Sequence, residues 1–522
     1  MRIRRLAVLL AASVAACLSP AMPVGAAPPA TPGTPSAPRP SPAASPPAPA
    51  SAGASAITHH TITVDGRPIA YTAKAATITL RDQQGDETAQ IFTVAYLADG
   101  ADPRTRPVTF VWNGGPGSST MWLQLGSYGP MRVAVPSNAA QPLPDTPLVP
   151  NSDSLLDTTD LVYIDAPGTG YSRLTGKGTP AMFYGVDQDA RAFDQIIRNW
   201  TTENGRWGSP KFLFGESYGT TRAANVVNLL QNDGMAIDGV VLLSSVLDFN
   251  ALDDGAGPGE DLQYIAFLPT EAAVAWYHHR VPGNPPDLAR FVADVRAFAG
   301  GAYADALMRG DRLDAATRRA VIARIHAYTG LDPAYIDRAD LRIDPSRFEH
   351  ELLHQTGMTT GRLDGRYEGY DIDRTADSTQ YDPTSDDNLT DAFVSNFSRY
   401  VRDDLDYKVD RPYLGTNYGV VGRAWNYRQT RSILATNVAG DLRQALIKNP
   451  YLHVFSANGY FDLATPFYGT EYTLGHLGLP AALRGHIEYG FYPSGHMVYL
   501  NDEARRALKA DLVRFYHEAT VH

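Results

Sequence analysis

A serine between two glycines stands near the middle of the chain, in a setting suited to nucleophilic chemistry. Gly215-Glu216-Ser217-Tyr218-Gly219 follows an apolar run and precedes a helical pattern. The glycines allow a tight strand-to-helix turn, which would lift the Ser217 hydroxyl above the edge of a sheet. The N-terminus of the following helix favours developing negative charge. The pattern predicts Ser217 as a nucleophile, and the alternative is a chance Gly-Ser turn.

A nucleophilic serine needs a base and an acid that orients the base, and two late loops supply candidates. Asp462 follows the apolar run His453 to Phe455, and His496 follows the run His486 to Tyr489. If these runs are parallel strands, both side chains lie at strand ends where such sheets bind ligands. In enzymes with the G-x-S-x-G motif, the triad residues also follow one another along the chain in the order serine, aspartate, histidine. We predict a triad of Ser217, Asp462 and His496, against the alternative of a turn aspartate and a surface histidine.

A glycine-rich segment early in the chain suggests a site for a developing oxyanion. Asn113-Gly114-Gly115-Pro116-Gly117-Ser118-Ser119 directly follows the apolar run Val108 to Trp112. Glycines let backbone N–H groups approach an oxyanion closely. The position after an early strand predicts part of an oxyanion hole, and the alternative is an ordinary Gly-Pro turn.

The elements that would position these residues alternate between strand and helix. Residues 61–98 alternate in polarity, which is typical of antiparallel strands. Later apolar runs are short and closed by turn residues, as buried parallel strands are. Helical patterns lie between them, for example Asp187 to Trp200 and Thr221 to Asn232. The alternation predicts an α/β fold with a mainly parallel sheet flanked by helices. The predicted parallel strands begin with Val108 to Trp112, Leu161 to Ile164, Phe212 to Phe214 and Val240 to Leu243, and end with His453 to Phe455 and His486 to Tyr489.

The middle of the chain differs from this pattern. Residues 250–435 contain long polar loops and helix-like stretches such as Ala315 to Tyr328 and Asn388 to Tyr407. We predict a mostly helical cap inserted into the sheet domain. The sheet domain would then have two parts, residues 57–249 and residues 436–522.

The N-terminus predicts export. Three arginines lie within the first five residues, an apolar run covers residues 6–16, and small residues follow. This order predicts a signal peptide over residues 1–26, and its apolar run is too short to span a bilayer. Residues 27–56 are rich in Pro, Ala and Ser and predict a linker. We expect a periplasmic or secreted protein.

The chain has one cysteine, Cys17, so no disulfide can form within it. Cys17 follows Val14-Ala15-Ala16, which resembles a lipoprotein signal, so a lipid anchor at Cys17 is the alternative to a soluble product. No other segment is long and apolar enough to cross a membrane. With a net charge of -11 over 522 residues, the chain would repel phosphate backbones, which argues against nucleic-acid binding.

Four segments together resemble the serine carboxypeptidases. They are Asn113 to Ser119, Asp165 to Ser172, Gly215 to Gly219, and Gly495-His496-Met497. The resemblance covers about residues 100–250 and 450–510. It implies an α/β-hydrolase fold with a helical insertion, no cofactor and no metal.

The resemblance also implies roles for single residues. Ser217 would attack the last peptide bond of a substrate with a free C-terminus and form an acyl-enzyme. Glu216 beside a substrate carboxylate would repel it unless the pair shared a proton. The implied assignments are Ser217 as nucleophile, His496 as base, Asp462 as its partner, the N–H groups of Gly115 and Tyr218 as oxyanion hole, and Asn113, Gly114 and Glu216 as the carboxylate-binding residues.

The chain departs from the family pattern at several positions. Ser118 stands where the family usually has a disulfide cysteine, and Val111 where it usually has tryptophan. Tyr460 replaces the aspartate two places before the catalytic one, and Tyr499 replaces the proline after His-Met-Val. None of these changes removes a predicted catalytic group.

Two other segments contain spacings that are typical of metal sites. His350-Glu351-Leu352-Leu353-His354 is H-E-x-x-H, which on a helix places two histidines on one face for zinc. Thr360 stands where one such class has its third histidine, so a polar cap helix that ends at Gly357 is the favoured interpretation. Acidic residues between Asp371 and Asp382 loosely follow the spacing of a calcium loop. Because Ala376 replaces the required glycine, a solvated acidic loop is the favoured interpretation.

Four functions therefore remain open at this stage. The first is a serine carboxypeptidase, and the second an esterase or acyltransferase with the same triad. The third is a zinc peptidase at His350 and His354. The fourth is a binding protein that has kept a former active site. The pair Asn113 and Glu216, which an esterase does not need, favours the first.

Overall fold

The computed structural model describes residues 55–143, 145–252, 257–384, 388–429 and 435–521. The predicted signal peptide, Cys17 and residues 27–54 of the predicted linker lie outside the described residues. The strands are β1 Ser55–Val64, β2 Arg67–Arg81, β3 Glu87–Ala98, β4 Val108–Trp112, β5 Met131–Val133, β6 Leu148–Pro150, β7 Asp160–Ile164, β8 Arg173–Leu174, β9 Lys211–Ser217, β10 Gly239–Ser245, β11 Met358–Thr360, β12 Glu368–Tyr370, β13 His453–Gly459 and β14 Ile487–Tyr492. The helices are α1 Met121–Gly126, α2 Pro180–Phe183, α3 Val186–Glu203, α4 Tyr218–Asn232, α5 Leu262–Tyr277, α6 Leu288–Phe298, α7 Ala304–Arg309, α8 Ala315–Thr329, α9 Pro333–Arg338, α10 Pro345–Leu353, α11 Asn388–Arg399, α12 Ala439–Lys448, α13 Phe467–Gly475 and α14 Asp502–Thr520.

One large sheet organises the described residues. Its strand order is β1-β2-β3-β7-β4-β9-β10-β13-β14, with β8 beside β3. The strands β1, β2, β3 and β7 pair antiparallel, and each pairing from β7 to β14 is parallel. Each crossover between parallel strands carries helices to the faces of the sheet. The predicted α/β-hydrolase fold is confirmed.

The central strands are apolar because both faces of the sheet are covered. Every residue of β4 and β10 is buried. Successive side chains alternate between two core clusters: Val111 belongs to one, and its neighbours Phe110 and Trp112 belong to the other. Helix α14 packs in the first cluster, whereas α3, α4 and α12 pack in the second. This alternation follows from the two-residue period of a strand.

The chain between β10 and β13 carries most of the remaining helices. Helices α5 to α10 share a third core cluster, which includes Phe267, Ile325 and Phe348. Helix α11 behaves differently, because Leu389, Phe393 and Phe397 belong to the first sheet cluster. The third cluster also includes Phe461, Leu463 and Phe467, which follow β13, so the inserted helices share their core with the sheet domain. Among the described helices, none combines the length and the apolarity that a bilayer crossing requires.

Candidate active site

The carboxyl ends of four parallel strands bring the predicted residues to one edge of the sheet. Asn113 follows β4, Ser217 ends β9, Asp462 lies three residues after β13, and His496 lies four residues after β14. Asn113, Ser217 and His496 line one cavity of about 520 Å³. Parallel sheets bind ligands at this edge because the loops between strand and helix meet there.

The turn at Ser217 is strained in the way a nucleophile turn requires. Ser217 has φ 60° and ψ -133°, a conformation that few non-glycine residues adopt, and α4 begins at the next residue. A side chain at Gly215 would put its Cβ 2.1 Å from the carbonyl oxygen of Gly219. Glycine at position 215 therefore permits the tight passage from β9 into α4.

Asp462 and His496 form a buried hydrogen-bonded pair. The Asp462 Oδ2 atom lies 2.9 Å from His496 Nδ1, and the residues are 0 % and 4 % exposed. The other carboxylate oxygen, Oδ1, accepts the backbone N–H groups of Ala464 and Thr465, both at 2.9 Å. These bonds hold the carboxylate, and the carboxylate in turn selects the imidazole tautomer that keeps Nε2 free of a proton.

The pKa of His496 is shifted by opposing influences. Burial, the largest single influence, lowers the pKa, but the charges of Asp462 and Glu216 raise it, so the net pKa lies above the usual 6.5. The positive charge of Arg362 lowers the pKa of His496. The backbone of His496 is fixed as well, because its N–H donates to the carbonyl of Leu363 at 2.6 Å.

The glycine-rich loop after β4 lies against the start of α4. A Cβ on Gly114 would lie 2.5 Å from the Tyr218 nitrogen and 2.6 Å from the Gly219 nitrogen. Only glycine allows this approach of two backbones. Gly115 and Tyr218, the two predicted oxyanion-hole residues, line the same cavity as Ser217.

Asn113 and Glu216, which line the same cavity, are hydrogen-bonded to each other. The Asn113 Nδ2 group donates to Glu216 Oε2 at 3.0 Å, and Asn113 Oδ1 accepts the N–H of Leu123 at 3.1 Å. The amide orientation is thereby determined, because each end of the Asn113 side chain has a partner of the matching type. Glu216 is 3 % exposed.

Glu216 titrates near neutrality. Burial, the largest influence, raises the pKa of Glu216 to about 7, and Asp462 adds to the raise. His496, Tyr499 and Asn113 act in the opposite direction. A carboxyl group with this pKa is about half protonated at pH 7, so it can donate a hydrogen bond that an ordinary glutamate cannot.

A buried network supports these loops from below. The Arg222 guanidinium makes two hydrogen bonds to Asp189, at 2.7 and 3.1 Å, and donates to the Asn113 carbonyl at 2.8 Å. The Trp112 indole donates to the Gly219 carbonyl at 2.8 Å. The end of β4 and the start of α4 are therefore held together by side chains that are almost fully buried.

Sequence reasoning missed several residues of the site. Tyr499, noted only as a departure, donates to Glu216, and Thr465 lies 2.7 Å from Asp462 Oδ2 and 3.1 Å from His496 Nδ1. Thr465 had a local signal, because a threonine three residues after an aspartate favours such a turn. The residues that the inserted region contributes to the cavity had no such signal; they are Leu252, Arg362, Leu363, Asp382, Thr384, Thr390, Thr416, Tyr418 and Tyr427.

The H-E-x-x-H histidines are engaged elsewhere. His350 is buried in α10 with its Nδ1 2.8 Å from Asp371 Oδ2, whereas His354 lies past the helix end beside the Glu351 carbonyl. In the part of the chain that the structure describes, no three His, Cys, Asp or Glu side chains are grouped to hold a metal. In the acidic segment between Asp371 and Asp382, the Asp373 carboxylate accepts hydrogen bonds from the N–H and hydroxyl groups of Thr375 in a local turn.

Comparisons with known proteins support the fold and match one part of the chain to a hydrolase family. The family model described as serine carboxypeptidase matches residues 81–250. A curated relative, serine carboxypeptidase-like 16 of Arabidopsis thaliana, is 25% identical over 176 residues, which cover 32% of this chain and 39% of the relative. The match thus spans about two fifths of the relative's length.

Solved structures resemble the chain only distantly. A proline iminopeptidase of Mycobacterium smegmatis is 13% identical with a TM-score of 0.37, over 85% of this chain and 98% of the other. A carboxyl esterase of Bacillus coagulans is 11% identical with a TM-score of 0.34, over 85% and 98%. Likeness at this level says nothing about substrate. From its strand order and its family match, the chain is a hydrolase of the α/β-hydrolase superfamily.

Proposed function

We propose that the protein is a serine carboxypeptidase that releases C-terminal amino acids from peptides. The observation that carries the proposal is the buried Asn113–Glu216 pair, 3.0 Å apart, in the cavity that Ser217 lines. A hydrolase of neutral esters gains nothing from a buried carboxyl group beside its nucleophile. A substrate carboxylate can share the Glu216 proton in a short charge-assisted hydrogen bond.

In the acylation step, Ser217 Oγ attacks the carbonyl carbon of the last peptide bond while His496 takes the hydroxyl proton. The N–H groups of Gly115 and Tyr218 donate to the oxyanion that forms. His496 then gives its proton to the leaving nitrogen, the C–N bond breaks, and a free amino acid departs. Asp462 keeps the imidazole oriented and stabilises its charged form.

Deacylation repeats the same steps with water. His496 removes a proton from a water molecule, whose oxygen attacks the ester carbonyl of the acyl-enzyme. The proton returns to Ser217 Oγ as the C–O bond breaks, and the shortened peptide leaves.

Recognition of the free C-terminus would rest on three groups. Protonated Glu216 donates to one oxygen of the substrate carboxylate, and the Asn113 amide and Gly114 N–H donate to the other. Because the pKa of Glu216 is raised to about 7, the protonated form is present at mildly acidic and neutral pH.

The test compares matched peptides that differ only in a free or amidated C-terminus. We expect single C-terminal amino acids to be released from the free acid, with the amide a poor substrate. A fluorophosphonate should label Ser217 and stop turnover. Equal rates on the two peptides would contradict carboxylate recognition, and absence of labelling would contradict the serine mechanism.

The esterase or acyltransferase alternative is favoured by one feature, the apolar wall of the cavity. This wall would accept an acyl chain as readily as a peptide side chain. It is formed by Trp122, Val246, Phe249, Leu252 and Tyr427. Turnover of aliphatic esters without a carboxylate, at a kcat/KM at least equal to that of free-acid peptides, would favour this alternative.

We further propose that the protein is exported and processed near Ala26. The arginines, apolar run and small residues at the N-terminus support this. N-terminal sequencing of the product from an export-competent host should begin at or near Ala27. A lipid-labelled N-terminal Cys17 would favour the lipoprotein alternative instead.

A further inference from the structure

The tyrosine that follows the His496 loop has its hydroxyl group against Glu216. The Tyr499 OH lies 3.0 Å from Glu216 Oε2 and 3.3 Å from Oε1, and Tyr499 is 1 % exposed. The two residues are 283 positions apart in the chain. A buried tyrosine hydroxyl normally has a hydrogen-bond partner, and here that partner is the carboxyl group proposed to bind substrate.

The Tyr499 ring has little freedom to move. A Cβ on Gly126 would come within 2.5 Å of Tyr499 Cε2 and 2.8 Å of Cδ2, so the ring packs directly on the α1 backbone. Contacts this close fix the ring plane and therefore the position of the hydroxyl oxygen.

Asn113 and Tyr499 donate hydrogen bonds to Glu216, and these bonds are unequally divided between its two oxygens. Oε2 accepts from Asn113 Nδ2 at 3.0 Å and has the nearer contact with Tyr499, also at 3.0 Å. Oε1 has only the longer contact of 3.3 Å. In a protonated carboxyl group, the carbonyl oxygen accepts hydrogen bonds better than the hydroxyl oxygen does. The proton is therefore favoured on the oxygen that accepts fewer hydrogen bonds.

We propose that Tyr499 is a positioning residue of the carboxylate-binding site, whose hydroxyl holds Oε2 of Glu216 so that Oε1 presents the proton to the substrate. The inference rests on the proposed carboxypeptidase function and deepens it. Tyr499 acts through Glu216 and touches no reacting atom.

Other groups also act on Glu216, and their effects must be kept constant. His496 and Asp462 face it from the loops after β14 and β13, the first lowering and the second raising its pKa. Tyr418, from the inserted region, also interacts with its charge. Tyr499→Phe leaves all three in place. It removes the hydroxyl group, which also interacts with Asn113, and with it the hydrogen bond that Tyr499 donates to Glu216. That bond stabilises the carboxylate, so its loss should raise the pKa of Glu216.

The experiment measures KM as a function of pH for two substrates: a peptide with a free C-terminal carboxylate, and the matching ester, which lacks that carboxylate. In Tyr499→Phe, the pH at which free-acid KM begins to rise should move upward by about one unit, the worth of one hydrogen bond to a charged group. At pH 5 the free-acid KM should rise about tenfold because the proton is no longer aimed. The ester KM should not change.

Tyr516→Phe is the matched control. Tyr516 is as buried as Tyr499 and loses one hydroxyl hydrogen bond, to Thr109 at 2.8 Å, at a place that does not contact Glu216. We expect the wild-type pH profile from it. Gly126→Ala, which would displace the Tyr499 ring without altering a polar group, should raise free-acid KM in the same direction as Tyr499→Phe.

A spectroscopic titration separates this inference from the proposed function. The infrared band of the protonated Glu216 carboxyl group, identified by its loss in Glu216→Gln, gives the midpoint in the free enzyme. An unchanged midpoint in Tyr499→Phe, or an equal shift in Tyr516→Phe, would overturn the role of Tyr499. A shifted midpoint together with a wild-type KM that is flat with pH would retain the Tyr499–Glu216 coupling, and would overturn both substrate positioning and the carboxypeptidase proposal.

Discussion

Two short motifs in this chain are typical of hydrolytic active sites, and the fold places them in different surroundings. Ser217, in G-x-S-x-G, lies at the carboxyl end of a central strand, with Asn113 and His496 brought to the same cavity. The H-E-x-x-H motif lies on α10, where His350 is hydrogen-bonded to Asp371 and His354 lies beyond the helix. Distant residues join Ser217 at one cavity, whereas the two histidines of H-E-x-x-H form hydrogen bonds within the inserted region.

The comparison shows what a motif needs beyond its own spacing. A helical i, i+4 pair supplies two side chains on one face but no third ligand, which must come from another element. The serine turn also supplies only part of a site, but parallel strands end at one edge and bring the other parts to it. Convergence of elements therefore distinguishes the two motifs better than either motif alone.

The largest effect expected is the loss of turnover in Ser217→Ala. Removing the nucleophile should lower kcat by about 10⁶-fold, as loss of a unit-acting triad residue does. The double variant His350→Ala/His354→Ala should keep near-wild-type kcat per folded molecule, and a chelator should leave kcat/KM unchanged. Loss of activity in the double variant, restored by added zinc, would reverse the comparison.

Asp462→Asn should have the next largest effect. The amide preserves the shape but favours the wrong tautomer of His496, which should lower kcat by about 10⁴-fold. Asp371→Asn makes the matched change at the carboxylate that faces His350, and its kcat should equal that of the wild type. Equal losses in the two variants would mean that both histidines serve the reaction.

The buried supports of the two regions should differ in their contribution to stability. Asp189→Ala leaves the fully buried Arg222 without its partner, so the free energy of unfolding should fall by about 3–5 kcal/mol. Asp371→Ala removes one neutral or charge-assisted bond to His350 and should cost about 1–3 kcal/mol. Chemical denaturation of both variants measures the two changes, and the reverse order would contradict the idea that the serine turn is the more strongly braced region.

The smallest and most specific effect concerns pH. His496 must be neutral to act as base, and the carboxylates of Asp462 and Glu216 raise its pKa above the usual 6.5. Activity on any substrate should therefore fall as the pH drops through this raised pKa. Under the proposed carboxypeptidase function, Glu216 must be protonated to bind the substrate carboxylate. Because burial raises the pKa of Glu216 to about 7, free-acid KM should rise as the pH increases through neutrality.

Because the two groups interact, the measured values belong to the pair. Free-acid peptides should therefore show a narrow optimum in kcat/KM near neutral pH, whereas esters should lose activity only on the acid side. Glu216→Gln should flatten the alkaline rise in KM, since an amide donates at any pH. His354→Ala should leave both profiles unchanged. A flat wild-type KM would leave Glu216 as an ordinary residue of the turn and move the esterase alternative to first place.

The local pattern of the sequence was sufficient for the elements and for the candidate triad. Central strands such as β4 and β10 are continuous apolar runs because both their faces are buried, and that property is visible in a few consecutive residues. The strand-turn-helix context around Ser217 is equally local. The predicted extent of most elements differs from the observed one by a few residues, because strand ends such as Ser456 to Gly459 are stabilised by neighbours rather than by their own pattern.

Only the tertiary structure decided which distant side chains meet. Nothing local indicates that Tyr499 contacts Glu216, that α11 packs with the sheet domain, or that Leu363 accepts a hydrogen bond from His496. Such contacts depend on the packing of elements hundreds of residues apart, and a periodic pattern records only that a face is buried, not which residues cover it. The sequence by itself therefore determined the strands, the turn and the candidate nucleophile, whereas folding decided what surrounds them and sets the protonation of Glu216 and His496.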